Sequence, residues 1–284
     1  SPDNYTATRV RYSTIRLQKT GTNTWELAED LGAFTGYDAD ATAYFNAVGT
    51  FTTGEKNAIN TWFLSAKANG YYTKYAAVYL FAGGTASAHK WNAINPVDSD
   101  AAFRMLFTGS PTHSSTGVAF NGTTQYGDTR LAPGTGPVLP QDAKGYAIGC
   151  RTVGTGSQFG ALNAGSVGDV LHINVGGLLY WELSTAPDTM VPPATKTGLW
   201  SLNRTTSTAA ELRKSDVFQD SYTTATSVNI ALNIVIGARN ANGVINLHSA
   251  DAYDFFAVRN AAMTAPQITS ENTDYIALQT ALGR

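Results

Sequence analysis

Eight residues in the C-terminal half, Tyr180, Trp181, Trp200, Asn203, Arg213, Arg239, Asn240 and Asn242, combine aromatic faces with amide and guanidinium groups. An aromatic ring gives a pyranose an apolar face to lie on, while Asn and Arg side chains hydrogen-bond its hydroxyls. These residue types, in or beside the C-terminal strands, are candidates for a glycan-binding surface. Trp181 and Trp200 also fit a core role, because one side of each strand must be buried.

A second set suits a hard cation. Asp98 and Asp100 flank Ser99, and Asp251 and Asp254 stand three apart at the entrance of a strand. Calcium takes several oxygens from carboxylates and backbone carbonyls. Acidic residues at such places also shape turns. Calcium is the one ion these residues bring into question, and no other cofactor is expected. The four histidines, His89, His113, His172 and His248, show no pair at ligand spacing, so structural hydrogen bonding is expected of each. The single cysteine, Cys150, rules out an intrachain disulfide and fits a small buried hydrophobe.

Catalytic patterns are missing. The chain has no phosphate loop, no dinucleotide glycine fingerprint, no HExxH helix and no GxSxG elbow. Glycoside hydrolysis needs two carboxylates across the sugar bond. On a strand these would stand at alternate positions, yet Glu182 is the only carboxylate in its segment. Glu26, Glu29 and Asp30 belong to the polar N-terminal zone. A protein that is not an enzyme is expected.

The elements that would position these residues fall into three zones. In the first, from Ser1 to about Gly36, Val10, Tyr12, Thr14 and Leu17 alternate with Arg11, Ser13 and Arg16, which predicts a strand with one wet face. Trp25-Glu26-Leu27 is its expected return partner. This zone is either a small sheet packed on the main body or a docking segment. The second zone, Asp38 to Gly70, predicts a helix capped at Asp38 and a longer one capped at Thr53, with Lys56 where a full capping box would have Glu. Ala58, Ile59, Trp62, Phe63 and Ala66 form its buried stripe. The third zone predicts strands at Ala76–Ala82, Gly117–Asn121, Tyr146–Arg151, Val170–Val175, Leu178–Ser184, Gly198–Asn203, Glu211–Lys214, Asn233–Ala238 and Tyr253–Val258. Gly176-Gly177 reads as a tight hairpin and Arg204 to Ala209 as a looser one. A closing helix is expected from Ser270 to Leu282. Many short strands without intervening helices predict a mainly β, antiparallel two-sheet jelly roll.

Composition narrows the partners. The 284 residues carry 19 basic and 21 acidic side chains, a net charge of −2, with 14% charged and 43% hydrophobic residues. This is enough apolar content for a core and too little basic charge for nucleic acid or anionic lipid. The longest apolar run, Ala76–Ala82, falls far short of a membrane span of roughly 20 residues. The polar opening Ser1-Pro2-Asp3-Asn4-Tyr5 lacks the pattern of a secretory leader and is compatible with one already removed.

The stretch from Lys74 to Leu131 is densely patterned. It holds Gly83-Gly84, His89-Lys90, Asn92, Asp100-Ala101-Ala102, Phe107, Gly109, Thr112-His113-Ser114, Gly117 and Asn121-Gly122 with Tyr126. With Ile236-Gly237-Ala238-Arg239-Asn240 and the closing Leu278–Arg284, it resembles virion surface proteins of tailed bacteriophages and prophages that carry a concanavalin A-like, laminin-G-like jelly roll. The resemblance spans about Thr53 to Arg284. It implies a jelly-roll domain at 53–284; the N-terminal strand and helix extension at 1–52 lies outside the resemblance and is a candidate docking or oligomerisation segment. It further implies a head or tail fibre, spike or decoration protein. Such a protein sits on the virion surface, forms a homo-oligomer with other virion proteins as neighbours, and has host-surface polysaccharide as a candidate ligand. No catalytic residue is carried across, because the acidic Glu-x-Asp-x-x-Glu strand motif of the hydrolase relatives is absent. The alternative is a bacterial carbohydrate-binding protein, secreted or attached to the cell surface.

Overall fold

In a computed structural model, residues 36–135 and 139–284 are described in full, together with strands at Tyr5–Arg9, Ser13–Lys19 and Trp25–Asp30. Those three strands pair antiparallel in sequence order. The predicted strand falls in part on Ser13–Lys19, which holds Thr14, Arg16 and Leu17. Val10, Tyr12 and the rest of residues 10–12 lie outside the described residues, and so do the side chains of this zone.

The body is a sandwich of two sheets, antiparallel except for one short parallel pairing between Phe159–Leu162 and Arg239–Ala241. The first sheet runs Asp188–Met190, Leu178–Thr185, Gly168–Val175, Phe159–Leu162, Val235–Ile236, Tyr126–Asp128 and Leu106–Thr108. Arg239–Ala241 and Val244–Asn246 are attached to it. The second runs Val217–Tyr222, Ala209–Lys214, Gly198–Thr206, Lys144–Cys150, Ala252–Arg259, Gly117–Ala119 and Thr112–Ser114, with Tyr75–Tyr79 also paired to Ala252–Arg259. Between the sheets lies one core, containing Tyr146, Ile148, Phe159, Leu171, Ile173, Trp181, Trp200, Leu202 and Phe256. Full burial of each such side chain contributes about 1.5–3 kcal/mol.

A second core covers the other face of the second sheet. Three helices build most of it: α1 (Ala39–Val48), α2 (Thr53–Ala68) and, beyond the four-residue α3 (Ala86–His89), α4 (Ala265–Ala281). Ile59, Trp62, Phe63 and Ala66 of α2 pack with Val78, Ala147, Leu199 and Phe255 of the sheet. The 52/53 boundary runs through this layer, since the ring of Tyr44 in α1 lies 6.4 Å from that of Phe63 in α2. Gly149 shows how close α4 comes: a Cβ there would sit 2.2 Å from Asp254 Oδ1 and 2.7 Å from the Tyr275 ring. The layer is also clamped by a buried ion pair between Arg259 of the sheet and Glu271 of α4, with Tyr75 donating to Glu271 Oε1 at 2.7 Å.

Two helix starts differ from expectation. The cap of α2 is Thr52, not Thr53, and Glu55 completes a full capping box with it. The one-residue shift turns an apparent Lys at the third position into the Glu that the motif wants. α4 begins at Ala265, five residues early, because Thr264 and Gln267 form another capping box and Pro266 suits a first turn. The Gly176-Gly177 hairpin is present, with φ of +61° and +83°.

Candidate functional site

The adjacent strands Gly168–Val175 and Leu178–Thr185 carry polar side chains on both faces. Alternation sends Asp169, Leu171, Ile173, Leu179, Trp181 and Leu183 inward, and Val170, His172, Tyr180 and Glu182 outward. Register sets His172 beside Tyr180 and Val170 beside Glu182. Next in line, Gly160 leaves the outer face flat, since any Cβ there would meet Val170 Cγ1 at 2.4 Å.

The inner polar group is saturated. Asp169 accepts from Lys144 Nζ at 2.6 Å, Tyr146 OH at 2.7 Å and the Ser184 amide at 2.8 Å. Lys144 also donates to Ser184 Oγ at 2.6 Å and Asn229 Oδ1 at 2.8 Å. Ser184 reaches inward because its backbone turns left-handed, at φ +55°. Burial lowers the Lys144 pKa, and the Asp169 charge opposes that shift.

The outer group is not saturated. Glu182 is 1% exposed, yet its Oε2 has no hydrogen-bond partner, and neither does buried His172 Nδ1. Burial, then the negative charge of Asp169, push Glu182 up to about 9, while Arg239 pulls the other way. Burial, then the like charge of Arg239, push His172 down to about 3. At neutral pH both are uncharged: an acid hydroxyl that donates, and an imidazole with one donor and one acceptor. Half-exposed Tyr180 packs edge-on against His172 at 6.3 Å between ring centroids. Half-exposed Arg239 completes the group, its Nε donating to Asn246 Oδ1 at 3.1 Å.

Of the eight candidate glycan residues, the structure joins only Tyr180 and Arg239, through His172 and Glu182. Trp181 and Trp200 are fully buried core residues and offer no face to a ligand, which corrects their assignment to a sugar platform. Trp181 Nε1 donates to Asp220 at 2.9 Å and Trp200 Nε1 to the Lys196 carbonyl at 2.8 Å. Asn203 is buried on the second sheet and clips the Met263 backbone through both its amide nitrogen and oxygen. Arg213, on the same sheet, is paired with Glu211 and Asp216. Asn240 braces a turn through Asn233 and Gly243, and Asn242 occupies that turn at φ +51°. The sequence reading gives His172 a structural hydrogen-bonding role and Glu182 the place of a lone strand carboxylate, and does not join them to the candidate glycan residues; their period-two offset from Leu171, Ile173, Trp181 and Leu183 is the signal that sets them on the face of Tyr180.

The candidate calcium residues are corrected too. Asp98 binds Lys90 at 2.6 Å and Arg104 at 2.8 Å, and Asp100 binds Arg130 at 2.8 Å. Asp251 accepts from Gly154, from Gln158 at 2.8 Å and from Tyr253 at 3.2 Å. Asp254 accepts from Tyr275 at 2.9 Å. Their oxygens are occupied by protein donors, and among the described residues no three His, Cys, Asp or Glu side chains gather as a ligand set. His89 and His113, unrelated in sequence, do meet: their Nδ1 atoms are 2.9 Å apart. Cys150 is buried, as expected.

No protein-family model matches this chain. No curated protein matches it either. Among solved structures it is similar to the NanB sialidase from Streptococcus pneumoniae (K499G mutant), at 11% identity over 46% of this chain and a TM-score of 0.39; the match covers only 24% of that chain. It is similar to domain 4 of AbnA, a GH43 extracellular arabinanase from Geobacillus stearothermophilus, solved with arabinotriose. There the identity is 13% over 70% of this chain and 98% of that one, with a TM-score of 0.46. It is also similar to the CBM40 of the Ruminococcus gnavus IT-sialidase, at 11% identity over 57% of this chain and 94% of that one, with a TM-score of 0.39. At these values no ligand or activity follows from the likeness.

Proposed function

We propose that this chain is a non-catalytic carbohydrate-binding β-sandwich, with its site on the outer face of the first sheet at Tyr180, His172, Glu182 and Arg239. The observation that carries this reading is half-exposed Tyr180 and Arg239 standing beside the buried, unsatisfied Glu182 Oε2 and His172 Nδ1 on the face turned away from the core. Buried polar atoms without partners are costly, at about 1–3 kcal/mol each. A ligand rich in hydroxyls relieves that cost when it displaces the groups covering the pair, and the half-exposed Tyr180 ring gives it an apolar edge to rest on. A single site of this kind binds weakly, and multivalent display raises its avidity.

The non-catalytic part of the proposal rests on Glu182 standing alone. Asp169, the carboxylate whose charge reaches it, lies on the inner face and is locked to Lys144. A hydrolase of the usual kind would need a second carboxylate across the sugar. Product release from host capsule that Glu182→Gln abolishes would overturn this part.

The test of binding is a glycan array probed with the intact chain and with Tyr180→Ala. The expected result is a defined set of glycans whose binding falls about tenfold or more in the variant, in keeping with the loss of an aromatic contact of ~1–1.5 kcal/mol and its neighbouring hydrogen bonds. Absence of glycan binding, or binding indifferent to Tyr180→Ala, sinks the site.

The setting we propose lies outside the cytoplasm. A glycan site suits a secreted or cell-surface protein of a bacterium. The resemblance of residues 53–284 to bacteriophage surface proteins supports a virion, where the chain would stand among other virion proteins as a homo-oligomer. Capsid, portal and tail genes beside its own would decide for the virion.

A further inference from the structure

Each described arginine but one has its guanidinium accounted for. Arg104, Arg130, Arg151, Arg213 and Arg259 face carboxylates. Arg204 is ringed by the carbonyls of Leu183, Thr206 and Ser207 with the Tyr222 hydroxyl, and Arg284 by those of Leu80, Phe81, Ser115 and Asp254. Arg239 has only its Nε bond to Asn246. Among the described residues no carboxylate lies within 4 Å of it, so it has no ion-pair partner there, and Nη1 and Nη2 have no hydrogen-bond acceptor.

An unpaired guanidinium beside buried groups is unfavourable, and desolvation lowers the pKa of Arg239 accordingly. Glu182 does not relieve it, because burial keeps that carboxyl protonated at neutral pH. The outer group therefore carries one uncompensated positive charge. The Asn246 bond holds the planar group by its side, leaving the two terminal nitrogens as an end-on fork. Such a fork matches a carboxylate, with two parallel N–H···O bonds.

Building on the carbohydrate reading, we propose that the sugar recognised at Tyr180, His172 and Glu182 bears a carboxylate, which Arg239 binds end-on through Nη1 and Nη2. The protonated Glu182 neither repels that carboxylate nor competes for the fork. His172 and Tyr180 then face the ring and its hydroxyls.

The experiment uses an array of acidic polysaccharides (polygalacturonate, hyaluronan, alginate and polysialic acid), each printed beside its carboxyl-reduced counterpart and beside a sulfated neutral glycan. The expected result is preference for at least one carboxylated member over its reduced form. Arg239→Gln removes the preference with a loss of about tenfold or more, the scale of a charge-assisted hydrogen bond. Arg239→Lys, which keeps the charge and loses the fork, recovers only part of it. Thermal melting of both variants within a few degrees of the parent separates lost recognition from lost folding. Equal binding of reduced and carboxylated forms, with Tyr180→Ala still abolishing both, overturns the carboxylate and leaves the carbohydrate site standing. Binding to sulfated glycans alone also overturns it. Binding to no glycan, on this array or the broader one, removes the carbohydrate reading itself.

Discussion

The two faces of Gly168–Val175 and Leu178–Thr185 hold polar groups of similar chemistry in opposite conditions. Inside, Asp169, Lys144, Tyr146, Ser184 and Asn229 satisfy one another. Outside, Glu182 and His172 keep orphaned atoms beside an unpaired Arg239. A closed network fixes two sheets at one register and leaves nothing to offer. An open one weakens the fold locally and keeps its hydrogen-bonding capacity for something that arrives later. Two strands thus carry a closed network on one face and an open one on the other.

The largest expected effect tests the closed side. Asp169→Ala strands the Lys144 ammonium in the core, and loss of one partner from a buried pair costs about 3–5 kcal/mol. The urea midpoint of the variant should fall accordingly. A change under ~1 kcal/mol would mean that the inner network is not what locks the sheets.

On the open side the sign reverses. Glu182 holds its proton up to about 9 in the folded chain, against an ordinary value of 4.5. Between those limits the folded state binds the extra proton, so stability falls as pH rises, by up to about 1.4 kcal/mol per pH unit for one such group. Glu182→Gln keeps the shape without the proton and should flatten that limb, so that at pH 8 the variant is more stable than the parent. Denaturant midpoints from pH 5 to 9 measure it. Parallel curves for parent and variant would show that the carboxyl ionises freely.

A smaller effect, of opposite slope, belongs to the histidine. His172 stays neutral down to about 3 against an ordinary 6.5. The unfolded chain therefore takes up the proton first, and stability falls as pH drops through that window. His89, pushed down to about 3 chiefly by burial and then by His113, acts in the same direction. His172→Gln should remove one contribution and leave the other, giving a shallower acid limb between pH 6.5 and 4. An unchanged limb would assign the whole acid dependence elsewhere.

Much of this fold was legible because apolar residues repeat at clear periods. The predicted segments at Val170–Val175, Leu178–Ser184, Gly198–Asn203 and Tyr253–Val258 correspond to strands at Gly168–Val175, Leu178–Thr185, Gly198–Thr206 and Ala252–Arg259. Thr112–Ser114 and Asp188–Met190 went unseen, since three residues, mostly polar, are too few to show a period. The site was half legible. Tyr180 and Arg239 stood out by residue type, but alternation alone could not tell which face of Leu178–Ser184 was wet. Trp181 therefore stood beside Tyr180 as a candidate until packing turned it inward. The acidic pairs failed for a related reason, because the cations that claim Asp98 and Asp100 come from Lys90, Arg104 and, 30 residues away, Arg130.

The helices α1, α2 and α4 occupy the back of the second sheet, whereas the outer face of the first presents half-exposed Tyr180 and Arg239 beside buried Val170, His172 and Glu182. That asymmetry gives the molecule a facing direction. Copies fixed to a support by their helical flank would all present the Tyr180 side outward, like tiles laid glaze up. Copies fixed the other way round would hide it.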